Sequence, residues 1–106
     1  MLTADLFEPP DEHLVVEGDL AARLRAAMLR LLAARRVQAT ICPSEAAREV
    51  AREIGCEWRD LMRPVRYVAA VLVEEGALET LQNGRRVDLA EARGPIRLRL
   101  RQPRPL

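Results

Sequence analysis

The stretch "TICPSEAAREVAREIG", residues 40–55, contains both ends of one predicted helix. Pro43 is favoured at the first helical position, where its missing N–H is not needed, which makes Cys42 the N-cap. Glu45 follows the cap by three residues, which is the spacing of a capping box with sulfur in place of the usual hydroxyl oxygen. Gly55 suits the left-handed conformation that ends many helices. The stretch therefore predicts a short amphipathic helix that starts at Pro43.

This helix limits the chemistry of the two cysteines, Cys42 and Cys56. About 12 helical residues at ~1.5 Å each hold the two sulfurs on the order of 18 Å apart, whereas a disulfide needs Cα atoms within about 7 Å. We therefore expect no intramolecular disulfide, and two cysteines without histidine partners predict no metal site. Two interpretations of Cys42 stay open. The helix N-terminus can favour the thiolate, which makes Cys42 a candidate reactive thiol, or the side chain is a small, half-buried filler.

The composition is typical of one soluble globular domain. The chain has 106 residues, of which 49% are hydrophobic and 31% charged. No apolar run approaches the roughly 20 residues of a membrane span, and the N-terminus lacks the basic start of a signal peptide. We therefore expect a cytoplasmic protein without a membrane partner. A glycine-rich phosphate loop, a metal-ligand cluster and a base for Cys42 are not evident, so we expect no cofactor and no enzyme activity.

Charge is distributed unevenly along the chain. Residues 1–19 carry six of the 16 acids and no arginine, which leaves 10 acids beside all 17 arginines in the remainder. This pattern predicts a mobile acidic arm over residues 1–18, a folded domain over 19–101 and a short tail over 102–106.

The segments on either side of the capped helix predict two further helices. Apolar residues recur at helical spacing after Asp19, which is a suitable N-cap for a first helix. A third helix follows Trp58. Pro64 interrupts its pattern, which predicts either a kink or a helix start near Arg63, with the residues from Trp58 onward forming a separate turn.

Two strand signals complete the chain. Asn83-Gly84 is a strong signal for a two-residue hairpin turn. The resulting register pairs Thr80 with Val87 and Leu78 with Leu89. The segment "GPIRLRLR" alternates aliphatic residues with arginine, which predicts a half-buried strand with one apolar and one charged face.

The predicted order of helix, short strand, helix, helix, hairpin and strand is that of a winged-helix domain. This is an α+β fold with a three-helix core, a helix-turn-helix and a small antiparallel β wing. The segments "TICPSE", "WRDLM" followed by "VR", "NGRRVD" and "GPIRLR" together resemble a small bacterial family catalogued as domain of unknown function 3253. The resemblance runs from about Leu20 to Arg101. It implies a winged-helix-like fold and carries no assigned activity, so it transfers no catalytic or binding residue.

Two functional hypotheses follow from the arginines. In the first, the domain binds duplex DNA: the third helix enters the major groove with Arg59, Arg63 and Arg66, and Arg85 and Arg86 of the wing contact phosphates. The pI of 7.9 argues against this hypothesis, because dedicated binders usually exceed about 9.

In the second hypothesis the domain is a protein-interaction module or structural adaptor that does not bind nucleic acid. Its arginines then form solvated faces, and those of the last strand prevent edge-to-edge aggregation. The oligomeric state stays open under both hypotheses, since one fold hosts many functions.

Overall fold

Three helices and a four-stranded antiparallel sheet make up the part of the chain that the computed structural model describes, residues 18–36 and 38–102. The helices are α1 (Gly18–Ala33), α2 (Pro43–Ile54) and α3 (Met62–Glu74), and a 3-10 turn (Trp58–Leu61) leads into α3. The strands are β1 (Thr40–Ile41), β2 (Leu78–Gln82), β3 (Arg85–Val87) and β4 (Arg97–Leu100). This α+β architecture confirms the predicted fold class and is compatible with a winged-helix arrangement. Nearly all of the predicted arm and tail, residues 1–17 and 103–106, lies outside the described residues.

Helix α2 has the ends that its sequence predicts. Cys42 is the N-cap in an extended conformation, and the carboxylate of Glu45 accepts the Cys42 backbone N–H at 2.8 Å. At the other end Gly55 has a φ of 77°, and its N–H donates to the carbonyl oxygen of Ala51 at 2.8 Å. A side chain at this φ would be strained, which explains the glycine.

The other two helices begin at positions that correct or decide the sequence-based predictions. Helix α1 starts at Gly18, so Asp19 lies in its first turn and pairs with Arg23 at 3.0 Å instead of capping the helix. Pro64 is the third residue of α3. Of the two alternatives at this proline, the helix start is therefore confirmed and the kink is wrong, because the first turn of a helix does not need the missing N–H.

The sheet has the strand order β1-β4-β2-β3. Asn83 and Gly84 both have positive φ, 53° and 81°, as a two-residue hairpin turn requires. Thr80 lies opposite Val87 as predicted. The predicted pairing of Leu78 with Leu89 is wrong, because β3 ends before it reaches Leu89; on its other edge Leu78 lies opposite Leu100 of β4. Strand β3 ends at Val87, after which the carboxylate of Asp88 accepts the N–H of Ala90 at 3.0 Å and turns the chain away.

The helices pack against one face of the sheet and form a single core among the described residues. Its largest fully buried apolar side chains come from helices and strands alike: Leu24, Met28, Ile41, Val50, Val65, Leu72, Leu78, Ile96 and Leu98. Leu81 is also buried but lies outside this cluster, directly opposite Arg86 and Arg97 on the outer face. The predicted apolar face of the last strand is thus confirmed by Ile96 and Leu98.

Candidate functional site

The predicted interface residues lie on three elements of the fold. Arg59 is in the 3-10 turn, Arg63 and Arg66 are in the first half of α3, and Arg85 and Arg86 form the start of β3. Helical spacing determines which residues of α3 are buried and which are exposed. Its buried face includes Val65, Val68, Ala69 and Leu72, and its exposed positions include Arg63, Tyr67 and Ala70.

The charges along α3 oppose the usual preference of a helix. Its first turn contains Arg63 and no acid, its last turn contains no base, and Glu74 is its last residue. The positive end of a helix dipole normally attracts acids, and each favourable charge is typically worth about 0.3–1 kcal/mol. A cation in the first turn, such as Arg63, is therefore unfavourable for the helix itself.

The two wing arginines differ in their surroundings. Arg86 is 67% exposed and lies 3.4 Å from the carboxylate of Glu79, which also accepts from Arg99 Nε at 2.7 Å. Arg85 is exposed and has no ion pair or side-chain hydrogen bond with another described residue. Glu79 is thus shared between two strands, and the charge of Arg85 faces solvent.

The arginines of α1 and its C-terminal extension instead join this helix to α2 and α3. Helix α2 carries one acid per turn on the side that faces α1, and each acid meets an arginine. The pairs are Arg23–Glu53 at 3.3 Å, Arg30–Glu49, Arg35–Glu45 at 2.5 Å and, at the end of α3, Arg25–Glu75 at 2.9 Å. These arginines are therefore occupied by contacts within the fold.

A second stripe of α2 is basic and surrounds Trp58. The guanidinium carbon of Arg48 lies 4.1 Å from the centroid of the Trp58 ring, and that of Arg59 lies 4.6 Å from it. An adjoining open cavity of about 210 Å³ is lined by Arg48, Ala51, Arg52, Cys56, Glu57 and Trp58. The sequence predicts an amphipathic helix here but does not separate its arginines, Arg48 and Arg52, from its acids, so it did not reveal this cluster. The available signal was their spacing of four residues, offset from Glu45, Glu49 and Glu53.

The arginines of the last strand do not form a free charged row. Arg97 donates from Nε to the hydroxyl of Thr40 at 2.9 Å, and Arg99 is bound to Glu79. Strand β4 ends at Leu100, so Arg101 lies beyond it. The arginines within β4 therefore hold neighbouring strands together.

Both cysteines are free thiols, which confirms the prediction that they form no disulfide. Cys42 is half-buried and its sulfur accepts from the hydroxyl of Ser44 at 3.1 Å. Its reactivity stays a prediction. Across residues 18–36 and 38–102, no group of three metal-ligating side chains is present, and no helix is long and apolar enough to cross a membrane.

Comparison with known proteins identifies the family of the chain. No curated protein matches the chain. The model of a family described as "Protein of unknown function (DUF3253)" matches residues 21–101, which run from the first turn of α1 to just past the end of β4. Since this match covers well over half of the 106 residues, the chain belongs to the DUF3253 family.

Proposed function

We propose that this domain binds duplex DNA, with α3 in the major groove and the β2–β3 hairpin against the phosphate backbone. The observation that carries the proposal is the division of the arginines. Those of α1 pair with carboxylates of α2 and α3, whereas Arg66 and Arg85 have no ion pair with any described residue. The charges of Arg66 and Arg85 are therefore available to phosphate oxygens, whereas those of α1 already face carboxylates.

The polarity of α3 supports the same proposal. Arg63 lies in the first turn of α3, where the helix dipole itself attracts anions such as phosphate. In helix-turn-helix proteins the N-terminal residues of the recognition helix contact the base edges. Arginine binds guanine through O6 and N7, which is the commonest specific contact in the major groove. Arg63 and Arg66 are the residues for this role.

A second candidate function, protein interaction, is favoured by one observation. Tyr67 is 49% exposed in the middle of the same face of α3, and Ile54 at the end of α2 is 43% exposed. Exposed aromatic residues are enriched at the centres of protein interfaces. Under this hypothesis Y67A abolishes partner binding, and the arginines contribute little.

A salt titration with a labelled random-sequence duplex tests the proposal. We expect wild-type protein to bind more tightly than about 10⁻⁴ M at low salt, with an affinity that falls as salt rises. R66A should bind more weakly, whereas R25A, which removes one arginine already paired within the fold, should change the affinity less. No binding at low salt, even after removal of residues 1–17, would overturn the proposal in favour of protein interaction.

A further inference from the structure

We propose that Arg48, Arg52 and Arg59 form a phosphate-binding site around Trp58, and that this site takes a backbone phosphate of the bound duplex. The inference rests on the proposed function. It adds a further contact with the DNA backbone to those proposed for α3 and the wing. Arg48 and Arg52 were not among the residues that the sequence predicts for the interface.

The acids and the arginines of α2 lie on different sides of the helix, and only the acids face α1. Glu45, Glu49 and Glu53 face α1 and are paired with its arginines. The basic residues one step round the helix, Arg48 and Arg52, are both exposed, and Arg52 has no ion pair with any described residue. The acids that would otherwise neutralise this stripe are therefore occupied, and α2 presents positive charge on the side of Trp58.

The geometry around Trp58 is suited to an anion. Since the guanidinium carbons of Arg48 and Arg59 lie 4.1 and 4.6 Å from one ring centroid, they are at most about 8.7 Å apart. A guanidinium that stacks through its face keeps the N–H groups at its edge free to donate, and charge-assisted bonds to phosphate are about 2.7–2.9 Å long. The two guanidinium groups therefore concentrate positive charge around the indole, and a phosphate beside the ring can accept from their N–H groups. The cavity of about 210 Å³ extends this position towards Arg52.

One acid lies at the same site. Glu57 lines the cavity, and its carboxylate accepts from Arg59 at 3.0 Å, with 53% of its side chain exposed. An incoming phosphate competes with this carboxylate for Arg59. Neutralising Glu57 should therefore strengthen anion binding, which is the opposite of what the loss of an arginine should do.

The location also agrees with duplex binding. The 3-10 turn that contains Trp58 and Arg59 runs directly into α3, whose first turn contains Arg63. When a recognition helix lies in the major groove, the preceding helix of the motif crosses the phosphate backbone. The Trp58 site is at the junction of these two helices, where a backbone strand would pass.

The test combines two measurements on the full-length protein. Anisotropy of a labelled random duplex gives the affinity and its salt dependence. Trp58 is the only tryptophan of the chain, so its fluorescence reports directly on the site. We expect duplex to change Trp58 emission with the same midpoint as the anisotropy. R52A should lower the salt slope by about 0.9, the value for one lost phosphate contact, and E57Q should raise the affinity several-fold.

R36A is the matched control for R52A. Arg36 is also exposed and has no ion pair with a described residue, and it follows Arg35, which pairs with the first turn of α2. The control thus removes the same charge at the end of α2 remote from Trp58. If wild-type protein binds duplex, while R52A and R36A have equal slopes and Trp58 emission is unchanged, the inference is overturned and DNA binding stands. If wild-type protein does not bind duplex, both are overturned.

Discussion

Glu45 and Arg35 join the start of α2 to the end of α1, with a carboxylate oxygen 2.5 Å from Nη2 of the guanidinium. The same carboxylate accepts the N–H of the N-cap, and Arg35 donates to the carbonyl oxygen of Thr40 at 2.9 Å. One ion pair thus links a helix cap, the preceding helix and strand β1. Two predictions concern this cap.

The first concerns the stability of the protein at acid pH. The hydrogen bond from Arg35, followed by that from the Cys42 N–H, holds the pKa of Glu45 below its ordinary value of about 4.5. A carboxylate whose pKa is lower in the folded than in the unfolded state stabilises the protein fully above the unfolded-state pKa. This stabilisation is lost as the pH falls through the folded-state pKa. Wild type should therefore be more stable than E45Q at pH 7 by about 0.5–1 kcal/mol. The difference should shrink below pH 4.5.

Urea unfolding at a series of pH values measures this difference. R35A is the informative comparison, because it removes the largest cause of the lowered pKa. The acid dependence should be weaker in R35A than in wild type. If wild type and E45Q differ by the same unfolding free energy at pH 7 and at pH 3, the lowered pKa of Glu45 does not contribute to stability.

The second prediction concerns the cap residue itself. C42S should be tolerated or mildly stabilising, by up to about 1 kcal/mol, since a hydroxyl is a better helix cap than a thiol. C56S, at the exposed cysteine, should leave the urea midpoint unchanged. A loss of several kcal/mol in C42S would show that the sulfur has a packing role that the cap does not explain.

A buried hydroxyl on β2 leads to a third prediction. Thr80 is 2% exposed, and its Oγ1 has no hydrogen-bond partner among the described residues. Replacing an unpaired buried hydroxyl with a methyl group of the same shape removes a desolvation cost, so T80V should stabilise the protein by about 1 kcal/mol.

T40V is the matched control for T80V. The hydroxyl of Thr40 accepts from Arg97 Nε, so its loss should destabilise the protein. The change in unfolding free energy relative to wild type should therefore be positive for T80V and negative for T40V. If T80V is as unstable as T40V, Thr80 has a partner that the fold does not reveal.

The fourth prediction addresses the wing. R85A/R86A should weaken duplex binding for all sequences and lower the salt slope by roughly two, because about one counterion is released per phosphate contact. The melting temperature should barely change, since among the described residues this variant loses one ion pair, that of the exposed Arg86. R25A/R30A removes the same charge from α1, where both arginines pair with carboxylates of the fold, and should have the smaller effect on the slope. Equal slopes for the two double variants would show that only net charge matters.

The fifth prediction concerns the acidic arm. Residues 1–17 hold five acids and no arginine, and Arg23–Glu53 places the start of α1 beside the end of α2, near the proposed interface. Removing these residues should leave the melting temperature nearly unchanged and strengthen binding to duplex. Unfolding or dimerisation of the truncated protein would instead indicate that the arm packs on the domain through apolar residues such as Leu6 and Phe7.

Local signals predicted the elements of this fold well. The cap at Cys42, the glycine end of α2 and the Asn83-Gly84 turn each depend on neighbouring residues and are therefore visible in the sequence. The pairing of Leu78 with Leu100 depends on two segments far apart in the chain, and no local pattern specifies it. The candidate site divides in the same way. The exposed positions on α3 follow from helical spacing, whereas the Arg48–Trp58 stack depends on how the turn folds back on α2.

The strand order also sets the sequence in which the sheet can be assembled during synthesis. Strand β4 is the last of the four strands to leave the ribosome, yet it lies between β1 and β2. Its Arg99 pairs with Thr40 of β1, a residue far away in the sequence. The β2–β3 hairpin closes over two residues and can form early, but β1 has no strand partner until β4 is available. A chain that terminates before Arg97 would leave β1 and one edge of β2 unpaired. We therefore expect such truncated products to aggregate or to be degraded.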